Sequence, residues 1–171
     1  MFSKAALIDI SDEYACYGSL DGGKDLGSEA FCIDLGNRTE IWSAQSIDAE
    51  TDIGPWLDAE VDAGMAWVSP TSTEQHLPQL FNYHNHGGID FEKGCYLGQE
   101  IIARAHYRGE LKWRLHRLDS DRVRETGEAL DIGTIVASAP SGALAILKNS
   151  TEDTVTAIFE DGEEVAATPC E

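Results

Sequence analysis

A chain of 171 residues in which 42% are hydrophobic can bury a real core as one generous domain or two small ones, which excludes global disorder. Its formal net charge of −19 argues against a general affinity for nucleic acid or an anionic membrane. The four cysteines (Cys16, Cys32, Cys95, Cys170) form no CxxC pair, and this spacing indicates neither a disulfide framework nor a zinc ribbon.

In chain order, AALIDI (5–10) predicts a short strand, and Ser11–Asp12–Glu13 a helix start or turn. A Gly-rich, charged loop follows over 18–28. EAFCIDL and TEIWSA flank Gly36–Asn37–Arg38 and predict a hairpin. Thr51 and Pro55 introduce a helix, PWLDAEVDAG (55–64), with Gly64 as its C′ residue. MAWVSP is a brief extended piece, and a second helix is expected over 73–82, with Pro78 near its start or at a kink. GQEIIARAH (98–106) has the length of a further helix. From residue 110 the texture changes. LKWRLHRL (111–118) alternates, which places Trp113 and Leu115 inward and Arg114 and Arg117 near the site or the surface. GTIVASA, GALAILK, DTVTAIF and EEVAATP follow at short spacing with turn residues between them, which predicts a small antiparallel barrel or sandwich. The fold class is therefore α+β, with units expected at 1–109 and 110–171. No long apolar run and no signal-peptide pattern is present, so a cytoplasmic protein is expected, with no membrane and no direct nucleic-acid partner.

Charge is unevenly spread. Eight of the 12 Lys and Arg lie between Lys93 and Arg124 against four acids, so that segment nets +4 and the rest of the chain −23. Pairing with acidic neighbours and a patch facing an anionic ligand both fit this pattern. The segment opens with FEKGCYLGQEIIARAHYRG (91–109). Cys95 stands just before the predicted helix, where free N–H groups and the helix dipole favour a thiolate, and Lys93 is two residues away. A buried, inert cysteine in a glycine-rich turn fits the same residues. His84-Asn85-His86, with His76, Asp90 and Cys95 nearby, raises zinc or copper, but the remaining ligands have no recognisable spacing; the loop reads as a turn and no metal is expected. No Ser-His-Asp order, phosphate loop or dinucleotide fingerprint is present.

KGCYLGQEIIARAHYRG resembles the signature of the YgfZ family, K-G-C-Y-x-G-Q-E followed by a helix with A-R and then R-G. Upstream, DAEVDAGMAWVSPTSTEQHLPQLFNYHNHGGIDFEKGCY is similar to the family segment with its E-A-G triplet and T-x-E-x-F-L-P-Q block, and the strand-rich tail resembles the barrel shared with glycine-cleavage aminomethyltransferases. The resemblance is dense from about Trp56 to Arg108 and weak over the first 50 residues. It implies a partial aminomethyltransferase-like fold and a tetrahydrofolate ligand. It also implies an accessory role in assembling or maintaining iron–sulfur clusters, those of tRNA-modifying enzymes included, with iron–sulfur proteins or their assembly machinery as partners. Cys95 then becomes the functional thiol, in a setting of Lys93, Gly94, Tyr96, Gly98, Gln99 and Glu100. Tyr96, Gln99 and Glu100 count among the cofactor-binding positions, and Arg104 and Arg108 match the glutamate tail of a folate. Asp62 stands where the family has the pterin-binding Glu, and Glu60 where an arginine is usual. Relatives are usually about twice this length, the difference lying at the N-terminus with one wall of the folate opening and the transferase's key acid. Aminomethyl transfer is therefore not expected, and folate binding would call for a second copy or another protein to complete the site. A folate-dependent transferase and a non-catalytic scaffold are the alternatives.

Overall fold

The hairpin forms where the turn residues put it. In the computed structural model, which describes residues 8–22, 30–49, 51–109, 111–120 and 122–170, β2 (Ala30–Asp34) passes through Gly36 at φ +89 into β3 (Thr39–Ser43). Asp34 Oδ1 accepts from the Gly36 N–H at 2.8 Å, and the Leu35 N–H donates to Arg38 O at 2.9 Å, which closes the turn. On the other side of β3 lies β1 (Ala15–Ser19), antiparallel, giving the order β1-β3-β2. The strand expected over 5–10 does not appear in its described part, and residues 5–7 lie outside the described residues, as do 23–28 of the predicted loop. Asp9 Oδ1 accepts from the N–H and Oγ of Ser11, a local bond that commits the chain to a 3-10 turn (Ser11–Glu13) instead of a ladder.

The helix predicted at 55–64 is α1 (Gly54–Asp62). It ends in a Schellman cap: Gly64 sits at φ +64, its N–H donates to Val61 O at 3.0 Å, and the Met65 N–H donates to Glu60 O at 2.9 Å. The helix expected over 73–82 shrinks to one 3-10 turn, Pro78–Phe81. Pro78 fixes the start of that turn, Asn82 ends it in the left-handed region at φ 56, and Glu74 at φ 61 breaks the preceding stretch. The chain divides into two compact units, one running to Ala59 and one beginning at Glu60, and α1 runs across the division.

In the second unit β4 (Trp113–Leu118), β5 (Ala129–Leu130), β6 (Gly133–Ala139), β7 (Gly142–Lys148), β8 (Val155–Ile158) and β9 (Glu164–Pro169) form one antiparallel sheet in the order β5-β6-β7-β4-β9-β8. An antiparallel bridge between Leu130 and Phe159 brings its two edges together, so the sheet is a nearly closed barrel. Leu118, Leu130, Ile135, Ala143, Ala145, Leu147, Val155, Ala157, Phe159, Val165 and Ala167 fill the inward face. Each large apolar side chain among them contributes about 1.5–3 kcal/mol on burial.

The facing of β4 differs from the expectation. His116 pairs with Ala145 and Leu118 with Ala143, so the inward row is Arg114, His116 and Leu118, while Trp113, Leu115 and Arg117 face outward. Leu115 is nonetheless fully buried, because the Pro78–Phe81 turn packs on the outer side of β4, whereas Trp113 at the strand end is 42% exposed. His116 is enclosed, its Nδ1 3.0 Å from Arg114 O, and burial foremost holds its imidazole below the usual histidine range; the Arg114 carbonyl raises it and the Arg114 charge lowers it. A base with a lowered folded-state pKa takes up its proton first in the unfolded chain. Stability is therefore complete above about pH 6.5 and falls as pH drops below it. His116→Leu is expected to flatten the fall in Tm between about pH 7 and pH 5, leaving a residue of slope from His76 and His84, which burial also lowers. An unchanged slope would remove His116 from the acid response. Among the described residues no helix is long and apolar enough to cross a membrane.

Candidate functional site

The motif forms a loop whose two ends are held together by aromatic rings. Asp90 Oδ1 accepts from the Glu92 and Lys93 N–H groups at 2.8 and 3.1 Å, turning the chain at its start. Phe91 then stacks on His106 with ring centroids 3.8 Å apart and planes at 17°, and Tyr107 meets both rings edge-on. His106 lies in the last turn of α2 (Gln99–Arg108), so the stack ties the loop's entry to the far end of the helix that follows it. Gly98 at φ +87 makes the sharp entry into α2, a conformation strained for any residue with a Cβ. The Gln79 side chain donates to Ile102 O at 2.8 Å, which anchors the helix midway.

Between these clamps Lys93, Gly94, Cys95 and Leu97 are exposed. Lys93 Nζ lies 4.7 Å over the Tyr96 ring, a cation–π contact that keeps the ammonium in the loop. Cys95 is a free, exposed thiol four residues before Gln99. Glu100, Arg104 and Arg108 follow at four-residue intervals along one stripe of α2, and Glu100 pairs with Arg104 at 2.8 Å. Asp62 is engaged elsewhere: at the end of α1 it accepts from Arg117 Nη2 at 3.1 Å, and Arg117 also contacts Asp119. The structure therefore gathers Lys93, Cys95 and Tyr96 in the loop and Gln99, Glu100, Arg104 and Arg108 on the adjoining helix, while the ion pair ties Asp62 to β4. Phe91, His106 and Gln79 had no signal in the sequence, since an aromatic pair fifteen positions apart follows no period.

Half of the basic segment's cations are neutralised locally. Arg104, Arg117, Arg122 and Arg124 all have carboxylate partners within 3.2 Å. Two cavities stand apart from the loop. One, of about 890 Å³, is lined by Thr71, His76 and the 122–128 segment; the other, of about 400 Å³, by Leu20, Cys32 and the Gly36–Thr39 turn. The His84 imidazole is held below the usual histidine range by burial first and then by the charges of His106 and His86. Among the described residues no group of three or more His, Cys, Asp or Glu converges with metal-binding geometry.

The cysteines differ sharply in setting. Cys16 and Cys32 are exposed like Cys95, but Cys170 is half-buried beside Gly64 and burial pushes its thiol up to about 11, the Arg117 charge opposing. At pH 8 only about a thousandth of Cys170 is thiolate. Limited iodoacetamide labelling read by peptide mass spectrometry should therefore modify Cys95 well before Cys170 in the folded protein. Equal rates would show that the Cys170 environment is open.

No protein-family profile matches the chain. Among curated proteins it is 42% identical over 79 residues to a tRNA-modifying protein YgfZ of Enterobacter sp., which covers 45% of this chain and 24% of that protein. It is 34% identical over 110 residues to a tRNA-modifying protein YgfZ of Escherichia coli, which covers 61% of this chain and 34% of the relative. The matched stretches thus span about a quarter to a third of the length of these relatives.

Proposed function

This chain belongs to the YgfZ family, and from that premise we propose that it is an accessory factor for iron–sulfur proteins, tRNA-modifying enzymes among them, acting through the Cys95 thiol in the cytoplasm. The observation that carries the reading is the clamped loop. Stacking of Phe91 on His106 fixes its base while Cys95 stands exposed on it. A rigid base with an accessible sulfur suits delivery to a large partner better than chemistry on a small enclosed substrate. On this reading Cys95 releases its proton to solvent, and the thiolate donates an electron pair to iron of a cluster in transit, displacing another ligand. Lys93, kept in the loop by Tyr96, adds positive charge where the anionic sulfur and cluster meet. Residues 1–109 then correspond to a partial aminomethyltransferase-like domain and 110–171 to its barrel.

The residues fit a tetrahydrofolate held by this chain alone poorly. Asp62 and Arg104 already have ionic partners, and their release is cheap, about 1 kcal/mol or less for exposed pairs. Enclosure is the difficulty: ligand pockets bury roughly 70–90% of a ligand, and neither of the two cavities described above is lined by Asp62, Tyr96, Gln99, Glu100, Arg104 or Arg108. No step is derived through the folate. In our proposal a second copy or a partner supplies the other wall, so calorimetric titration of the isolated chain with tetrahydrofolate gives no saturable heat at millimolar ligand. Saturable heat would show that this chain holds a folate unaided.

The function is tested in cells lacking the full-length relative by quantifying tRNA nucleosides made by iron–sulfur enzymes. Expression of this chain should restore them. Failure, with the chain folded and abundant, would favour a scaffold that has lost the accessory role.

A further inference from the structure

The sheet of the first unit leaves the edge of β2 open. The Leu35 N–H donates to Arg38 O, so the backbone groups of Leu35, and by alternation those of Ile33 and Phe31, point at β3. Those of Ala30, Cys32 and Asp34 point the other way, out of the sheet, because β2 is the last strand of the order β1-β3-β2. Among the described residues nothing bonds to these outward groups. Open edges are usually blunted by a proline, a lysine or a bulge. β2 has none of these: Ala30–Asp34 reads AFCID, and its register against β3 is unbroken. Every residue after Ala30 is exposed, Phe31 at 65% and Ile33 at 47% on the face that also carries Trp42.

We propose that β2 is a dimer edge: two copies of this chain pair β2 against β2, antiparallel about a two-fold axis at Cys32, and join their three-stranded sheets into one. This inference does not rest on Cys95 or on the accessory role. The order of the residues is what selects a second copy. In this register Cys32 meets Cys32, Ala30 meets Asp34 and Phe31 meets Ile33 of the second copy. The outward groups of Ala30, Cys32 and Asp34 then bond to one another and complete the ladder. Phe31 and Ile33 fall at the non-hydrogen-bonded positions, where Cα atoms approach to about 4.5 Å and side chains pack closest. Aromatic and β-branched residues make a favourable pair there. The two Asp34 carboxylates lie at opposite ends of the paired strands, so no like charges stand opposite each other. Centring the axis on Phe31 or on Ile33 would leave part of each strand unpaired. The charge of −19 on each copy opposes association at long range, and salt screens that repulsion.

The test is sedimentation equilibrium of the intact chain with its thiols kept reduced. A short strand pair buries less than the standard interface of about 1,200–2,000 Å², so a weak dimer is expected, with a Kd of about 10–100 μM at about 0.1 M salt. Association should weaken severalfold at about 10 mM salt, where the Debye length grows from about 10 to about 30 Å. Ile33→Lys sets a charge against Phe31 of the second copy, and Cys32→Pro deletes an outward N–H while sparing the bonds to β3. Each should raise Kd at least about tenfold, the loss of one favourable cross-strand contact or ladder bond together with its neighbours. In a Cys16→Ala, Cys95→Ala background a short bis-alkylating thiol reagent should join Cys32 to Cys32, whose Cβ atoms stand about 4.5–5.5 Å apart when paired. The proposal is overturned by any one of four results: a monomer up to about 0.5 mM protein at the higher salt; assemblies larger than a dimer; a dimer that both variants leave intact; or a dimer in which Cys32 does not cross-link to Cys32.

Discussion

Leu147→Ala is expected to remove about 2–5 kcal/mol of unfolding free energy, enough to unfold a large fraction of a marginally stable domain. Leu147 is fully buried on the inward face of β7, the strand that lies between β6 and β4. Its backbone partners are Gly133 on one side and Arg114 on the other. Removing three carbons there leaves a cavity in a wall pinned on both edges by the ladder, so relaxation can fill little of it. Leu147→Met keeps most of the volume and should cost less than about 1.5 kcal/mol. Urea denaturation checks this: the midpoint should fall for Leu147→Ala with little change in the slope. Equal midpoints for the alanine and methionine variants would mean that this side chain is not packed in the core.

Arg124→Ala should cost about 3 kcal/mol through loss of barrel closure. The Arg124 side chain is 5% exposed, and its guanidinium lies 3.6 Å from the Phe159 ring centroid. Nη1 reaches Glu128 at 3.2 Å and Nη2 reaches Glu163 at 2.6 Å; the second contact is close but off the donor direction, a charge pair more than a directed hydrogen bond. Arg122 adds contacts to Asp161 and Glu163 at 3.0 Å each. This network joins the segment after β4 to the β8–β9 turn, beside the Leu130–Phe159 bridge and the bond from the Asp131 N–H to Ile158 O at 2.9 Å. Alanine removes both the packing on Phe159 and the countercharge. Glu128 and Glu163 are partly solvated, so water relieves some of the loss and the effect stays below that of a fully buried pair. Arg124→Met keeps the stem over the ring and should cost about half as much. Amide exchange at Asp131 and Ile158 should quicken in the alanine variant; unchanged exchange there would separate the arginine from closure.

Much of this architecture could be read from residue order. Gly36–Asn37–Arg38 marked the hairpin and Gly64 the helix cap, because positive φ confines those positions to few residue types. The last strands could be read because short apolar runs alternate with Gly, Asp and Asn turns. Facing in β4 could not, since both of its faces are covered: Leu115 lies under the Pro78–Phe81 turn and His116 inside the barrel, so period two identifies the strand without saying which side is the interior. Continuous helix over 73–82 is not what forms, because Glu74 and Asn82 both adopt left-handed backbone, which an α-helix does not tolerate. At the site, the K-G-C-Y order nominated Cys95, and the turn before α2 followed from Gly98. The Phe91–His106 clamp and the Asp62–Arg117 pair are tertiary contacts between positions with no periodic relation, and only coordinates place them together.

The central claim is that Cys95, and no other cysteine, carries the function. The most direct test measures nucleosides made by iron–sulfur tRNA-modifying enzymes in cells lacking the full-length relative, each culture expressing this chain as wild type, Cys95→Ala, Cys16→Ala or Cys32→Ala. Cys16 and Cys32 are exposed too and serve as controls, although partial burial and then the Glu40 charge raise the Cys16 thiol. The account predicts that wild type, Cys16→Ala and Cys32→Ala restore the nucleosides while Cys95→Ala, folded and equally abundant, does not. Restoration by Cys95→Ala to the wild-type level would contradict it.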